Sequence, residues 1–210
     1  NTESVDKQFL QKQFNEKDGV LVKCDPVQVF CGNNTANGNP DLKWMGADSA
    51  NYYNSYDVKS DHGWGELMEL IEKINFDFDN LGDVLNIDRV LWAFAVNSAI
   101  LNLDTYNGYY VHNYYLYRTE DGLFQMIPWD FDNSFAGAIL GWDFFDPMVV
   151  YNYDTYGNQY APNERPLLEK LLDDPYYKKL YNAHLQTVYT ESLIDTDAVR
   201  ASINQLQATA

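Results

Sequence analysis

The chain has 210 residues, 46% of them hydrophobic, which is enough apolar content for one domain with a buried core. Its formal net charge is -17, from 14 basic and 31 acidic side chains, and so acidic a surface repels nucleic acid and anionic lipid. No apolar run approaches the roughly 18 residues that a membrane-spanning helix requires. We therefore expect a single domain over residues 1–210, without a transmembrane segment and without a nucleic-acid partner.

The first residues and the two cysteines bear on where the protein works. The chain starts at Asn1 rather than Met, so we expect a processed or excised piece of a longer protein. Cys24 and Cys31 lie close together and predict a local disulfide if the protein is exported, whereas two free thiols are the rule in the cytosol. Asn33 begins a glycosylation sequon, which is a weak further sign of export. Our expectation is a secreted or cell-surface location.

The N-terminal half of the chain predicts three helices, a strand and a long loop. Apolar residues recur at helical spacing over 5–14, and VLVK (20–23) has the character of a strand. Residues 31–60 are rich in Gly, Asn, Asp and Tyr and predict a loop. Helices are predicted over 64–74 and 87–100, and the second is apolar almost all round, which is typical of a helix that crosses the core.

A β-hairpin is predicted next. Its arms cover 114–117 and 123–127, and the intervening Glu120, Asp121 and Gly122 are residue types that suit a tight turn.

The rest of the chain predicts a long aromatic and Asp-rich loop over 133–163, followed by helices. RPLLEKLL and YYKKLYNAHLQTVY are separated by Asp174 and Pro175, and DAVRASINQL follows Thr196 as its predicted cap. The expected fold class is α+β, with helices around a small hairpin or sheet.

The stretch FQMIPWDFDNSF (124–135) places Asp130 and Asp132 two residues apart, directly after an apolar run. Like charges at that spacing repel, and in apolar surroundings each is costly unless a cation lies between them. The pattern is compatible either with a turn whose acids face water or with a divalent metal site.

The predicted hairpin favours the metal site. Asn113 precedes its first arm and Asp130 follows its second, so strand pairing brings both to the same end, with Asp104 one loop away. Amide and carboxylate oxygens suit a hard cation such as magnesium. Protein kinases use this arrangement for phosphoryl transfer: an Asp base, then an Asn metal ligand, then a second Asp after a hairpin. His112, directly before Asn113, is a further residue of interest.

HNYYLY (112–117) followed by IPWDFDNSF (127–135) resembles the CotH (spore-coat protein H) family of atypical secretory protein kinases. The resemblance extends over roughly residues 2–190. It includes three further segments in the family's order: TESVDKQFLQKQF followed by GVLVK, PDLKWMGADSANYYNSYDVKS, and RPLLEKLLDDPYYKKLY.

This resemblance implies an atypical protein-kinase-like fold and ATP- and Mg²⁺-dependent phosphorylation of Ser or Thr on exported or cell-surface proteins. Position by position, Asp104 matches the catalytic Asp. Asn113 matches the Asn of the family's H-N-Y-Y-L-Y, and Asp130 matches the metal-binding Asp of its P-W-D, so both are expected to bind the metal and the nucleotide. Asp132 is expected to be a second ligand or an orienting group.

The chain departs from the family in one spacing. Asn113 lies nine positions after Asp104, whereas protein kinases place this Asn about five residues after the catalytic Asp. Either the longer loop bulges outward, or Asn107 acts as the ligand instead.

A second departure concerns the N-terminal side. The family's domain begins with a sheet that covers the nucleotide, and we expect that part to be missing here. Lys23, Lys43 and Lys59 are the remaining candidates for a phosphate contact, although a solvated surface role is expected for each.

Two other functions are compatible with the sequence. A non-catalytic binding or adhesion module would use aromatic rings for sugar stacking, with YNYDTYGNQY (151–160) as the best patch. A glycosidase would use two of Asp104, Asp130 and Asp132, but the sequence provides no separate apolar environment to raise one pKa, so this function ranks last.

Overall fold

The structure is a computed structural model, and it describes residues 3–26, 38–102, 104–108, 111–132, 134–135 and 165–209. Several sequence predictions lie outside these ranges and stay predictions: Cys31, the sequon at Asn33, and most of the loop 133–163 including 151–160.

Helices and a small sheet make up the regular structure of the described residues. The α-helices are α1 (Lys7–Phe14), α2 (Trp64–Phe76), α3 (Ile87–Ala99), α4 (Pro166–Asp173), α5 (Pro175–Val188) and α6 (Thr196–Thr209). The strands are β1 (Val20–Cys24), β2 (Asp57–Val58), β3 (Tyr114–Arg118) and β4 (Phe124–Pro128). Shorter turns are the 3-10 segments Ser49–Tyr52 and Phe78–Asp83 and the π turn Tyr189–Leu193. The α+β expectation is confirmed.

The predicted hairpin is confirmed, and its turn follows from its residue types. Gly122 has φ +88, a conformation that favours glycine. Asp121 Oδ1 accepts a hydrogen bond of 3.1 Å from Leu123 N and so closes the turn.

Two details of the secondary structure differ from the sequence predictions. Strand β2 lies inside the segment expected to be a loop and has only two residues, too few to show an alternating pattern. The predicted Thr196 cap is wrong. Asp195 Oδ1 accepts hydrogen bonds from Asp197 N (3.2 Å) and Ala198 N (3.0 Å), so Asp195 is the cap and Thr196 is already helical.

The sheet is four-stranded and antiparallel, in the order β2-β1-β3-β4. Cys24 is opposite Tyr114, and Tyr114 is opposite Pro128. The end of β1, the start of β3 and the end of β4 therefore lie side by side at one end of the sheet. The chain leaves the sheet at two of these neighbouring points and enters it at the third.

Side chains alternate between the two faces of the sheet, as the period of a strand requires. One face contributes Val22, Leu116 and Met126 to the main core, which also contains residues of α2 to α5. The other face contributes Leu21 and Ile127 to a smaller cluster that α1 closes with Leu10, itself only 1% exposed.

Helix α3 lies in the main core, as its apolar sequence predicts, and its last full turn carries the buried polar residues Asn97 and Ser98. Among the described helices, none combines the length and apolar character that crossing a membrane requires.

Candidate functional site

Three strand ends bring together the residues of the candidate site. Asp25 follows β1, Asn113 precedes β3, and Asp130 comes two positions after β4. Trp129 N donates a hydrogen bond of 3.0 Å to Asn113 O, which extends the pairing of β3 and β4 by one step. Asn113 and Asp130 therefore lie at the same end of the hairpin, where the sequence predicts them.

A buried amide network positions the loop that carries Asp104. Asn97 on α3 donates from Nδ2 to Thr105 Oγ1 (3.1 Å) and accepts at Oδ1 from Asn102 Nδ2 (3.2 Å). Asn102 Oδ1 in turn accepts from Asp104 N at 3.1 Å. Because these groups are buried and bonded to one another, they fix Asn102, Asp104 and Thr105 relative to α3.

Asn107 belongs to the same network and is turned toward the core. It is 2% exposed, and Nδ2 donates to Phe94 O and to Ser98 Oγ, both at 3.2 Å. Its Oδ1 accepts from Asn97 Nδ2 at 3.3 Å. The alternative in which Asn107 replaces Asn113 as the ligand is therefore wrong, since all of its side-chain groups are used inside the protein.

Asp104 and Asn113 are in direct contact. Asp104 Oδ2 accepts a hydrogen bond of 3.2 Å from Asn113 Nδ2, and the two residues are 8% and 7% exposed. Asp104 Oδ1 accepts a second, short hydrogen bond from His112 Nε2. The nine-residue spacing between Asp104 and Asn113 therefore does not separate them, because the longer loop folds back on α3.

The donor atoms at Asn113 and Asp130 suit a hard cation. Asn113 Nδ2 is used by Asp104, and Oδ1 has no protein donor within the described part of the chain. Asp130 is partly exposed and makes no side-chain hydrogen bond there. Asn113 and Asp130 have φ of +56 and +54, a conformation that costs a non-glycine residue on the order of 1 kcal/mol and often marks functional sites.

Protein side chains supply only part of such a cation's shell. No group of three or more His, Cys, Asp or Glu side chains within the described ranges is placed to hold a metal ion. Magnesium commonly uses one or two carboxylates and takes its other ligands from phosphate and water. An amide oxygen from Asn113 with the carboxylate of Asp130 fits that pattern.

Asp132 is less firmly connected to the site. Its side chain is exposed, and no hydrogen bond or ion pair joins it to Asn113 or Asp104 within the described residues. Three residues later, Phe135 N donates a hydrogen bond of 2.6 Å to Ile100 O, which connects this turn to the end of α3.

One of the candidate lysines lies at the site. Lys23 Nζ is 2.6 Å from Asp25 Oδ2 and 5.0 Å from the centre of the Trp129 ring, and its side chain is 24% exposed. Lys43 and Lys59 are more exposed and form ion pairs with acids two positions earlier in the chain. The expected surface role fits these two lysines better than Lys23.

Sequence reasoning missed Asp25, and it singled out His112 without assigning it a role. His112 Nδ1 lies 3.7 Å from Asp25 Oδ1, while Nε2 bonds Asp104, so the ring lies between two carboxylates. The available signal was the position of Asp25 two residues after the predicted strand 20–23. Without the register of β1 against β3, that position does not indicate a neighbour.

The sheet beneath the site is apolar and buried. Burial raises the pKa of the Cys24 thiol and of the Tyr114 hydroxyl well above their usual ranges. Burial, with the nearby Asp25 charge, raises the pKa of Tyr115 to about 12. Cys24 is a free thiol in the described structure; its predicted partner, Cys31, lies outside the described residues, so the disulfide stays a prediction.

Comparison with known proteins identifies the family. The family described as "CotH kinase protein" matches the chain over residues 1–210. The inner spore coat protein H of Bacillus subtilis (strain 168) is 32% identical over 112 residues, which is 50% of this chain and 27% of that protein. The chain thus aligns with less than a third of the relative's length. Because the family match covers the whole chain, the chain belongs to the CotH kinase protein family.

Proposed function

We propose that this chain carries the phosphoryl-transfer site of an ATP- and magnesium-dependent protein kinase that acts on Ser or Thr hydroxyls. The observation that carries the proposal is the 3.2 Å hydrogen bond between Asn113 Nδ2 and Asp104 Oδ2. It sets a carboxylate that can accept a proton beside an amide oxygen that can bind a cation. Asp130 is at the same end of the hairpin, which completes the Asp, Asn, Asp set that protein kinases use.

In this proposal Asp104 accepts the proton of the substrate hydroxyl while the hydroxyl oxygen bonds to the γ-phosphorus of ATP. The bond from that phosphorus to the β–γ bridging oxygen breaks, and ADP leaves with the bonding electron pair. The Asp104 oxygens accept hydrogen bonds from His112 and Asn113, and these bonds orient the carboxylate that takes this proton.

Asn113 and Asp130 would hold the magnesium ion, with Asp132 as a further carboxylate. When bound, magnesium neutralises charge on the phosphate oxygens. Lys23 contacts Asp25 and the Trp129 ring at this end of the sheet, and it offers a contact for a phosphate oxygen.

Exported or surface proteins are the proposed substrates. The relative's name places that protein in the inner spore coat, and we extend a coat or surface location to this protein. The chain's own formal charge of -17 does not favour an acidic acceptor peptide.

The experiment uses the full-length protein with labelled ATP and magnesium, together with calorimetry of nucleotide binding. Asp104→Asn should lower kcat by about 100- to 10,000-fold while nucleotide still binds, because it removes the base. Asp130→Asn should weaken magnesium-dependent nucleotide binding by about 10- to 100-fold. Asp61→Asn is the matched control, since Asp61 is exposed and its side chain makes no hydrogen bond or ion pair with the described residues.

Two outcomes would contradict the proposal. Transfer by the Asp104 and Asp130 variants at the rate of Asp61→Asn would remove both residues from the site. Binding to a glycan array without any response to ATP or metal would instead support the non-catalytic binding module.

A further inference from the structure

His112 lies between two carboxylates at the centre of the candidate site. Its Nε2 donates a short hydrogen bond to Asp104 Oδ1, and its Nδ1 is 3.7 Å from Asp25 Oδ1. The His112 side chain is only 19% exposed, so these contacts are largely shielded from water. Both nitrogens of the ring thus face an acceptor.

Asp25 is itself held in place. Lys23 Nζ pairs with its Oδ2 at 2.6 Å, and the pairing of Cys24 with Tyr114 sets the end of β1 beside the start of β3. Asp25 directly follows β1, and His112 lies two positions before β3. The position of the imidazole is therefore set by the sheet.

Asp104 is in turn held by several neighbours. His112 bonds its Oδ1, Asn113 Nδ2 bonds its Oδ2 at 3.2 Å, and its backbone N–H donates to Asn102 Oδ1 at 3.1 Å. Loss of the imidazole would leave one carboxylate oxygen without this donor. The orientation of the carboxylate would then no longer be fixed by a hydrogen bond from the imidazole.

We propose that His112 is a positioning residue that holds the Asp104 carboxylate in the orientation for proton transfer, with Asp25 beside its other ring nitrogen. This inference rests on the proposed kinase function and assigns a residue that the metal and base roles do not include. His112 acts through Asp104 and touches neither ATP nor the acceptor hydroxyl in this role. Its replacement therefore affects kcat and leaves the KM for ATP nearly unchanged.

Two variants of the full-length protein separate positioning from packing. His112→Phe keeps a ring of similar size and removes both ring nitrogens. His112→Gln keeps an N–H donor at about the distance of Nε2. We expect His112→Phe to lower kcat by about 100-fold, the size of effect that misplacing a reacting group by about 1 Å can have. The kcat of His112→Gln should be at least about tenfold higher than that of His112→Phe.

The chain offers a matched control in a second histidine–aspartate pair. His184 Nε2 is 2.8 Å from Asp88 Oδ1, and the ring stacks on Trp92. His184→Phe and His184→Gln should both leave kcat at the wild-type value. A general effect of replacing a paired histidine would lower kcat in both series.

A spectroscopic measurement tests the contacts without requiring activity. In the long-range ¹H–¹⁵N spectrum of labelled protein, Asp104→Asn should shift the Nε2 resonance of His112, and Asp25→Ala should shift its Nδ1 resonance. An Nε2 resonance unmoved by Asp104→Asn would overturn the contact, and equal kcat values for His112→Phe and His112→Gln would overturn the positioning role. A wild-type protein that transfers no phosphate would overturn the kinase proposal and the catalytic role together, while the spectrum still decides the contact.

Discussion

Replacing Asn97 with alanine tests whether the buried amide network holds the loop of the candidate base. Asn97 is 2% exposed and joins α3 to the loop through Thr105 (3.1 Å), Asn107 (3.3 Å) and Asn102 (3.2 Å). Alanine would leave a buried polar group on each of these residues without this partner. A buried group that loses its partner costs about 1 kcal/mol or more.

We therefore expect Asn97→Ala to lower the free energy of unfolding by about 3 kcal/mol, a large part of the roughly 5–15 kcal/mol of a typical domain. Urea unfolding followed by circular dichroism measures this value. Asn80→Ala is the control, because Asn80 is exposed and donates to Asp77 Oδ1 at 2.8 Å. Its cost should stay within about 0.5 kcal/mol.

A double-mutant cycle sharpens the test. Asn97→Ala combined with Asn107→Ala should cost less than the two single changes added together, by about 1 kcal/mol, because both remove the same hydrogen bond. The reasoning is refuted if Asn97→Ala costs no more than Asn80→Ala, or if the two changes are strictly additive.

Two further predictions concern packing and pH. Gly63→Ala would place a Cβ 2.4 Å from Val20 Cγ1 at φ +143, so it should lower the free energy of unfolding by about 2 kcal/mol. Gly65→Ala has no atom within 4 Å of its new Cβ in α2 and should raise the free energy of unfolding by about 0.5 kcal/mol. A melting temperature that shifts in the same direction for both variants would contradict this. The raised pKa of Tyr114 means that the unfolded chain loses this proton near pH 10 while the folded protein keeps it, so stability is lost as pH rises above about 10. Between pH 8 and 11, the free energy of unfolding measured with urea should therefore fall less steeply for Tyr114→Phe than for the wild-type protein. An unchanged slope would count against a raised pKa of Tyr114.

The elements of the fold were predictable because their signals are local. The apolar spacing of α2 and the turn residues around Gly122 identify a helix and a hairpin without knowledge of their neighbours. Strand β2 and the cap of α6 were missed or misassigned. A two-residue strand has no periodicity, and Asp195 and Thr196 are adjacent residues that both favour a cap.

The candidate site likewise has a part that local signals predict and a part that they do not. The proximity of Asn113 to Asp130 follows from the hairpin alone, and the sequence predicts it. The contact of His112 with Asp25 depends on the register between β1 and β3, which joins distant segments, and a single sequence does not determine that register. The inward direction of Asn107 likewise depends on how the loop packs against α3.

The sheet order has a consequence for how the protein folds. Strands β3 and β4 are neighbours in the chain and can pair within microseconds, whereas β1 must close a long loop to reach β3, as the hydrogen bond of Gly19 N to Tyr117 OH across 98 positions shows. During refolding, amide exchange protection should therefore arise in the hairpin before it arises in β1. Asn113 and Asp130 would come together early, and Asp25 would join them only when β1 pairs with β3.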